Sequence, residues 1–293
     1  MTFSQPNAEI YAPDGAEKSV ALSRVTHLVV GAHQDDVEFM GFPLIRDCFH
    51  SSTPSFGAIV LTNGAGSPRN GVYADCTDEG MQEIRRAEQR RAADTGHYAV
   101  AVQLQFPSKT VRSHDDSTPT DELAALFATM RPQVVMTHQL ADKHDSHIAT
   151  ALRVIAALRR LPPESRPSRL LGGEIWRGLD WLPDHEKVRL DAGGDDALAA
   201  ALMGVFDSQI AGGKRYDLAT FGRWRTNATF GDPYAVDTIE QVALAMDMTP
   251  LLLDNVQDPS DFILGRIGRF AEEIRASLCR AAGSTSPPPH RPS

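Results

Sequence analysis

Four short apolar runs rich in β-branched residues, at positions 25–32, 57–62, 99–106 and 133–138, alternate with stretches of helical periodicity at 43–50, 79–96, 120–130 and 147–161. This order predicts an α/β fold with a mostly parallel sheet and helices on both faces, because a crossover helix returns the chain to the next parallel strand. Pro43 suits the first turn of its helix, where its missing N–H costs nothing. Thr120 fits a helix N-cap, and Asp145 or Ser146 fits the next. Beyond position 165, strands are expected at 169–177 and 187–191, and helices at 195–210, 216–228 and 258–282. No composition break divides 1–282, which reads as a single domain, and the proline-rich 283–293 reads as a disordered tail.

Two of the expected strand ends carry unusual chemistry. Residues 25–32 run into His33-Gln34-Asp35-Asp36, and 133–138 lead to His144-Asp145-Ser146-His147. Taken singly, each has a plain structural reading: an Asp-Asp pair caps helices, and a His pair at a helix start is often solvated. Together they occupy the same slot, the loop leaving the carboxyl end of a parallel strand, where open α/β sheets bind ligands. Imidazole and carboxylate are good zinc ligands, and a catalytic zinc takes three protein donors and keeps a position open. Asp35 and Asp36 are successive residues in a tight turn, so their side chains diverge: one can bind metal while the other moves a proton. His144 and His147 emerge on one side of a helix start, so one can ligate and the other donate a hydrogen bond to a developing oxyanion. This is the minimal equipment for metal-assisted hydrolysis of an amide.

The chain carries a net charge of −9, which argues against nucleic acid or an anionic membrane as the main partner and favours a small neutral or cationic substrate. Cys48, Cys76 and Cys279 form no C-x-x-C pair, so neither a disulfide framework nor a thiolate zinc site is indicated, and a reducing, cytoplasmic setting is expected. Residues 1–19 lack the apolar region of a signal peptide, and no stretch approaches a membrane span. A homo-oligomer is compatible with all of this.

Ala32-His33-Gln34-Asp35-Asp36 resembles the A-H-P-D-D signature of the PIG-L/LmbE-like deacetylases, and His144-Asp145-Ser146-His147 resembles that family's H-P-D-H signature. The resemblance extends to 62–69, 83–92, 140–147, 174–181 and 208–230. It implies a Rossmann-like fold with the metal site at the carboxyl ends of the strands, and zinc-dependent removal of an acyl group from an N-acylated sugar. It further implies His33, Asp36 and His147 as metal ligands, Asp35 as general base and acid, and His144 as the group that stabilises the oxyanion. His, Asp and His would also accept iron, cobalt or manganese. Three departures stand out. Gln34 replaces a proline, which should loosen the turn. Val37 stands where Glu is usual, with Glu38 one place late. Asp145 and Ser146 replace Pro and Asp, leaving open whether Asp142 or Asp145 orients His144.

Smaller features complete the reading. The glycine-rich Thr62-Asn63-Gly64-Ala65-Gly66-Ser67-Pro68-Arg69 should line the same mouth; it lacks the third glycine of a dinucleotide fingerprint. Arg69 fits either a clamp on substrate hydroxyls or phosphate, or a solvated loop arginine. Arg85, Arg86, Glu88, Arg90 and Arg91 read as a solvated helix face. His27 reads as a core histidine, His138 as a neighbour of the site, and Trp176, Trp181 and Trp224 as core or as platforms for a sugar ring. The rival functions are an amidase acting on a non-acetyl amide of a thiol-sugar conjugate, a metal-binding sugar-recognition protein without turnover, and a nucleotide-binding α/β protein. Asp35 beside the metal trio disfavours the second, since binding alone needs no base, and the missing phosphate-contacting glycines disfavour the third.

Overall fold

The computed structural model describes residues 1–53, 55–253 and 255–283. Its strands are β1 (Glu9–Tyr11), β2 (His27–Gly31), β3 (Phe56–Thr62), β4 (Val100–Phe106), β5 (Val134–His138), β6 (Arg169–Gly173), β7 (Lys187–Asp191) and β8 (Val242–Asp247). Its helices are α1 (Lys18–Ser23), α2 (Asp36–Phe49), α3 (Asp78–Thr95), α4 (Ser108–Arg112), α5 (Thr118–Met130), α6 (Asp145–Arg159), α7 (Asp196–Gly204), α8 (Asp207–Ile210), α9 (Tyr216–Thr229), α10 (Pro250–Leu253) and α11 (Pro259–Ala281).

The strands form one sheet in the order β1-β4-β3-β2-β5-β6-β8-β7. The central β4-β3-β2-β5-β6 are parallel, while β1, β8 and β7 each pair antiparallel with their neighbours. The sheet is therefore mixed, and the Rossmann-like expectation describes its centre only. Strand order reverses at β2, which is bonded to β3 on one side and to β5 on the other. The loops leaving β2 and β5 consequently face one crevice, where doubly wound sheets place their ligands.

Alternate strand residues feed two cores, one on each face. Leu28, Val30, Ile59, Leu61, Val100 and Val102 join residues of α1, α5 and α6, whereas Val29, Ala58, Val60 and Ala101 join residues of α2 and α7. Helix α2 sits directly on β2: a Cβ added at Gly41 would stand 2.6 Å from Val29 Cγ2. A Cβ at Gly31 would come within 3.0 Å of Asp36 Cβ, so the loop folds tightly back over the strand end. Both contacts fix the start of α2, and with it Asp36.

Several boundaries differ from the sequence reading. Helix α2 begins at Asp36, so Pro43 lies inside it rather than in its first turn. Ser117, not Thr120, occupies the N-cap of α5. The N-cap of α6 is His144, whose Nδ1 accepts the Ser146 N–H at 3.2 Å, so neither Asp145 nor Ser146 serves. The strand expected over 169–177 ends at Gly173, and the helix expected over 195–210 is broken into α7 and α8. Strand β8, of sequence VALAMD, escaped notice because alanine and methionine favour helices, yet cross-strand pairing overrides that preference. Of the expected tail, residues 284–293 lie outside the described residues. No helix among the described residues is long and apolar enough to cross a membrane.

Candidate active site

The β2–α2 turn sets the site. Asp35 adopts φ +93°, a conformation that costs a non-glycine residue free energy and persists only where its surroundings enforce it. This turn aims Asp36 inward, where its Oδ2 accepts the His33 N–H at 2.7 Å. Gln34 does not loosen the turn: its buried amide donates to the Thr62 carbonyl at 3.0 Å, tying the turn to the end of β3. Glu38 anchors the same helix from its far side, accepting from Gln89 Nε2 and Tyr98 OH, both at 2.8 Å.

His33, Asp36 and His147 converge. His33 Nδ1 stands 3.2 Å from Asp36 Oδ2 and 3.2 Å from His147 Nε2, and His147 Nε2 stands 3.3 Å from Asp36 Oδ1. Neighbouring donors around a tetrahedral zinc with ordinary N and O bonds are about 3.3 Å apart, so this triangle has the right size for such an ion. Electrostatics agree. Burial works against the charge on Asp36, but His147, His138 and His33 outweigh it and hold the carboxyl well below the usual range. Burial likewise opposes charge on His147, yet Asp36 and Asp142 hold that imidazole up at about 9. The cluster is one that favours positive charge at its centre.

Asp142 settles a point the sequence left open. Its Oδ2 lies 3.4 Å from His147 Nδ1 and accepts the Trp176 N–H at 3.3 Å, so Asp142 orients the His147 ring, while its Oδ1 reaches His144 only through the backbone N–H, at 3.3 Å. A carboxylate behind a ligating imidazole fixes its tautomer and raises its basicity. His138 lies beneath, its ring stacked on His147 at 3.8 Å, and its Nε2 accepts the Ala32 N–H at 2.9 Å. That lone pair is thereby taken, although His138 shares a candidate metal-binding group with Asp36 and His147.

Asp35 is turned the other way, toward α3. Its Oδ2 accepts from Arg85 at 2.9 Å, and Arg85 in turn pairs with Glu88 Oε2 at 3.0 Å. Glu88 also accepts the Ser208 N–H at 2.7 Å and its hydroxyl at 2.8 Å. Arg85 and Glu88 are fully buried, which overturns their reading as part of a solvated face. A signal was present: Met81, Arg85, Glu88 and Ala92 follow helical spacing, and all four are buried. Burial pushes the Asp35 carboxyl up, to about 8, with Asp36 and Glu38 adding to this and Arg85 opposing it. Such a group can both take and return a proton near neutrality.

His144 stands beside the trio, its ring 4.9 Å from that of His33. Burial, then the neighbouring His33 and His147, push it down to about 4, so it is neutral. Since Nδ1 accepts a backbone N–H, the proton of the neutral ring sits on Nε2, which is free to donate.

His33, Asp35, Asp36 and His144 line one cavity of about 390 Å³, with His147 buried behind them, and its wall includes Gly64, Gly66, Ser67 and Pro68 as the glycine-rich loop led one to expect. Trp176, 36% exposed, and Tyr216 line it too, whereas Trp224 is core. Arg69 is not among the lining residues. Its guanidinium donates to the carbonyls of Ala65, Ser67 and Cys76 and to Asp78, bracing its own loop. A smaller apolar cavity of about 190 Å³ abuts the first and shares Phe39, Ile175, Trp176 and Tyr216 with it.

A parallel-sheet switch point carrying a His-Asp-His donor triangle, a buried aspartate and a neutral donor histidine defines a candidate metal-dependent hydrolase site. Residues 28–158 match the family model PIG-L: GlcNAc-PI de-N-acetylase, and this segment holds His33, Asp35, Asp36, His144 and His147. No curated protein matches the chain in sequence. Among solved structures it is similar to GalB, the 4-carboxy-2-hydroxymuconate hydratase of Pseudomonas putida, at 16% identity and TM-score 0.58, over 76% of this chain and 96% of that one. The conserved protein TT1542 of Thermus thermophilus aligns at 20% identity and TM-score 0.57, over 80% and 99%. The N,N'-diacetylchitobiose deacetylase of Pyrococcus horikoshii aligns at 14% identity and TM-score 0.57, over 78% and 85%. At such identities the likeness establishes the fold, and a hydratase and a deacetylase sharing it place the burden of function on the site.

Proposed function

We propose that this chain is a metal-dependent hydrolase that removes an acyl group, foremost acetyl, from an N-acylated amino sugar or a small molecule containing one. The observation that carries the reading is that His33, Asp36, Asp35 and His144 line one cavity, with His147 closing the donor triangle against His33 and Asp36, within the family-matched segment. The triangle would hold one divalent cation, zinc in the first place. Such an ion supplies Lewis acidity and acidifies water at the site.

The chain's own residues account for the proton and the charge. Arg85 holds Oδ2 of Asp35, leaving Oδ1 to accept a proton from the water that attacks the acyl carbon. The carbonyl oxygen gains negative charge, and His144 Nε2–H donates to it. As the C–N bond breaks, Asp35 returns the proton to the leaving nitrogen, giving a carboxylic acid and an amine. Asp35→Asn is expected to keep the metal and lose on the order of a hundredfold or more in rate. Loss of metal with normal activity per bound ion would exchange the roles of the two aspartates.

The test of the reaction is acetate release from N-acetylglucosamine derivatives, stimulated by added divalent ion and abolished by a chelator. A second reading, an amidase acting on a larger acyl group, draws support from the apolar cavity behind Phe39, Ile175, Trp176 and Tyr216. A series of N-acyl glucosamines separates the two. Rates that fall beyond acetyl favour the deacetylase, and rates that climb with acyl length favour the amidase.

A further inference from the structure

We propose that α11 is a dimerisation helix, and that its partner is α11 of a second copy of this chain, laid antiparallel against it. The helix runs from Pro259 to Ala281 and is on the order of 35 Å long. Only its start is docked on the body. Phe262 and Ile263 are buried there, and Glu186 pairs with Arg266 and Arg269. From Ala271 to Ala282 every residue is exposed except Arg275 and Cys279, which are half-buried. A helix in a protein draws most of its stability from packing its apolar face, so a bare apolar face on a long helix calls for a contact from outside.

That face is a continuous stripe. Ile267, Phe270, Ile274, Ser277 and Ala281 follow the alternating three- and four-residue spacing of a coiled-coil seam, and Leu264 and Leu278 widen it along one edge. Leu264, Ile274 and Leu278 are 60%, 45% and 66% exposed, a contiguous apolar surface of the kind that marks an interaction site. The other edge carries Glu273 and Arg280, and neither enters an ion pair among the described residues; Arg280 donates only to the Ser277 hydroxyl, at 2.9 Å. A parallel partner would set this charged edge against the apolar one. An antiparallel partner sets it against itself, so that Glu273 faces Arg280 of the second copy and Arg280 faces its Glu273. The same register places Ile274 opposite Ser277 and Phe270 opposite Ala281, large against small, twice over. Such a pair is closed by a two-fold axis and leaves the two bodies at opposite ends of the helix pair. Residues 284–293, next along the chain, hold no Leu, Ile, Val, Met, Phe, Tyr or Trp with which to cover the stripe. Acidic and basic residues are mixed along α11, unlike the Lys- and Arg-rich polar face of a helix that lies on an anionic membrane.

Sedimentation velocity of the purified protein at low salt tests this, and should give a species of twice the 31.9 kDa chain mass. Ile274→Glu and Leu278→Glu each bring two charges into the pair and should raise its dissociation constant on the order of a hundredfold. Metal content should not change in either variant, because no residue of α11 lines the candidate site. A single charge reversal, Glu273→Arg or Arg280→Glu, should weaken the dimer roughly tenfold, and the two reversals together should restore it, since both pairs re-form with their signs exchanged. A monomer at every concentration, or a dimer that survives both seam substitutions, would overturn the proposal. A dimer that the seam substitutions break but the charge reversals leave unchanged would overturn the antiparallel pairing. A monomer that binds vesicles of anionic lipid would give the stripe to a membrane instead.

Discussion

Asp36→Ala is expected to leave the purified protein without its divalent ion and without measurable amide hydrolysis, while far-UV circular dichroism stays close to that of the parent. Asp36 is the hub of the cluster. It accepts the His33 N–H, lies 3.2 Å from His33 Nδ1 and 3.3 Å from His147 Nε2, and is the acidic member of the triangle. Removing it takes away a ligand and the charge that steadies both imidazoles. His33→Ala and His147→Ala should also lose metal, since two donors seldom retain a catalytic ion. Metal analysis of the three purified variants decides the matter: full occupancy in all of them would overturn the assignment.

Arg85→Met should produce a different failure. The substitution keeps much of the side-chain volume but leaves Asp35 and Glu88 buried without their cation, a change that costs about 3–5 kcal/mol when one partner of a buried pair is lost. In a chain of this size the melting temperature should fall by on the order of 10 °C. The rate should fall as well, because Asp35 loses the donor that holds its Oδ2. Metal content should stay near that of the parent, since Arg85 touches none of the donor triangle. Arg85→Lys should restore part of the stability and less of the rate, a point charge being unable to bridge both carboxylates as a guanidinium fork does. Metal loss in Arg85→Met, or unchanged melting, would show that the pair does not support the site in this way.

The roles of α3 and of the cavity mouth were the parts least visible in the chain. Arg85 and Glu88 are spaced like any solvated ion pair on a helix, and only the packing of α3 turns that face inward to meet Asp35. The net charge of −9 does not describe the cavity, whose wall holds Asp35 and Asp36 beside Arg85, Arg112 and Lys214. Net charge sums over a whole surface. A substrate responds to the few groups within a Debye length of it, and these come from segments far apart in sequence.

What the sequence by itself determined is local. Alternating runs of strand and helix character determined the central parallel strands, and the His33–Asp36 and His144–His147 segments determined the chemistry available at their ends, because residue type and short spacing suffice for both. Tertiary structure alone decided the rest. Reversal of strand order at β2 brings the two segments to one crevice, antiparallel pairing adds β1, β7 and β8 at the edges, and side-chain packing assigns Asp142 to His147 and Arg69 to its own loop. Those outcomes depend on which surfaces bury one another, an energy summed over contacts between residues far apart in the chain, and no short window of sequence contains it.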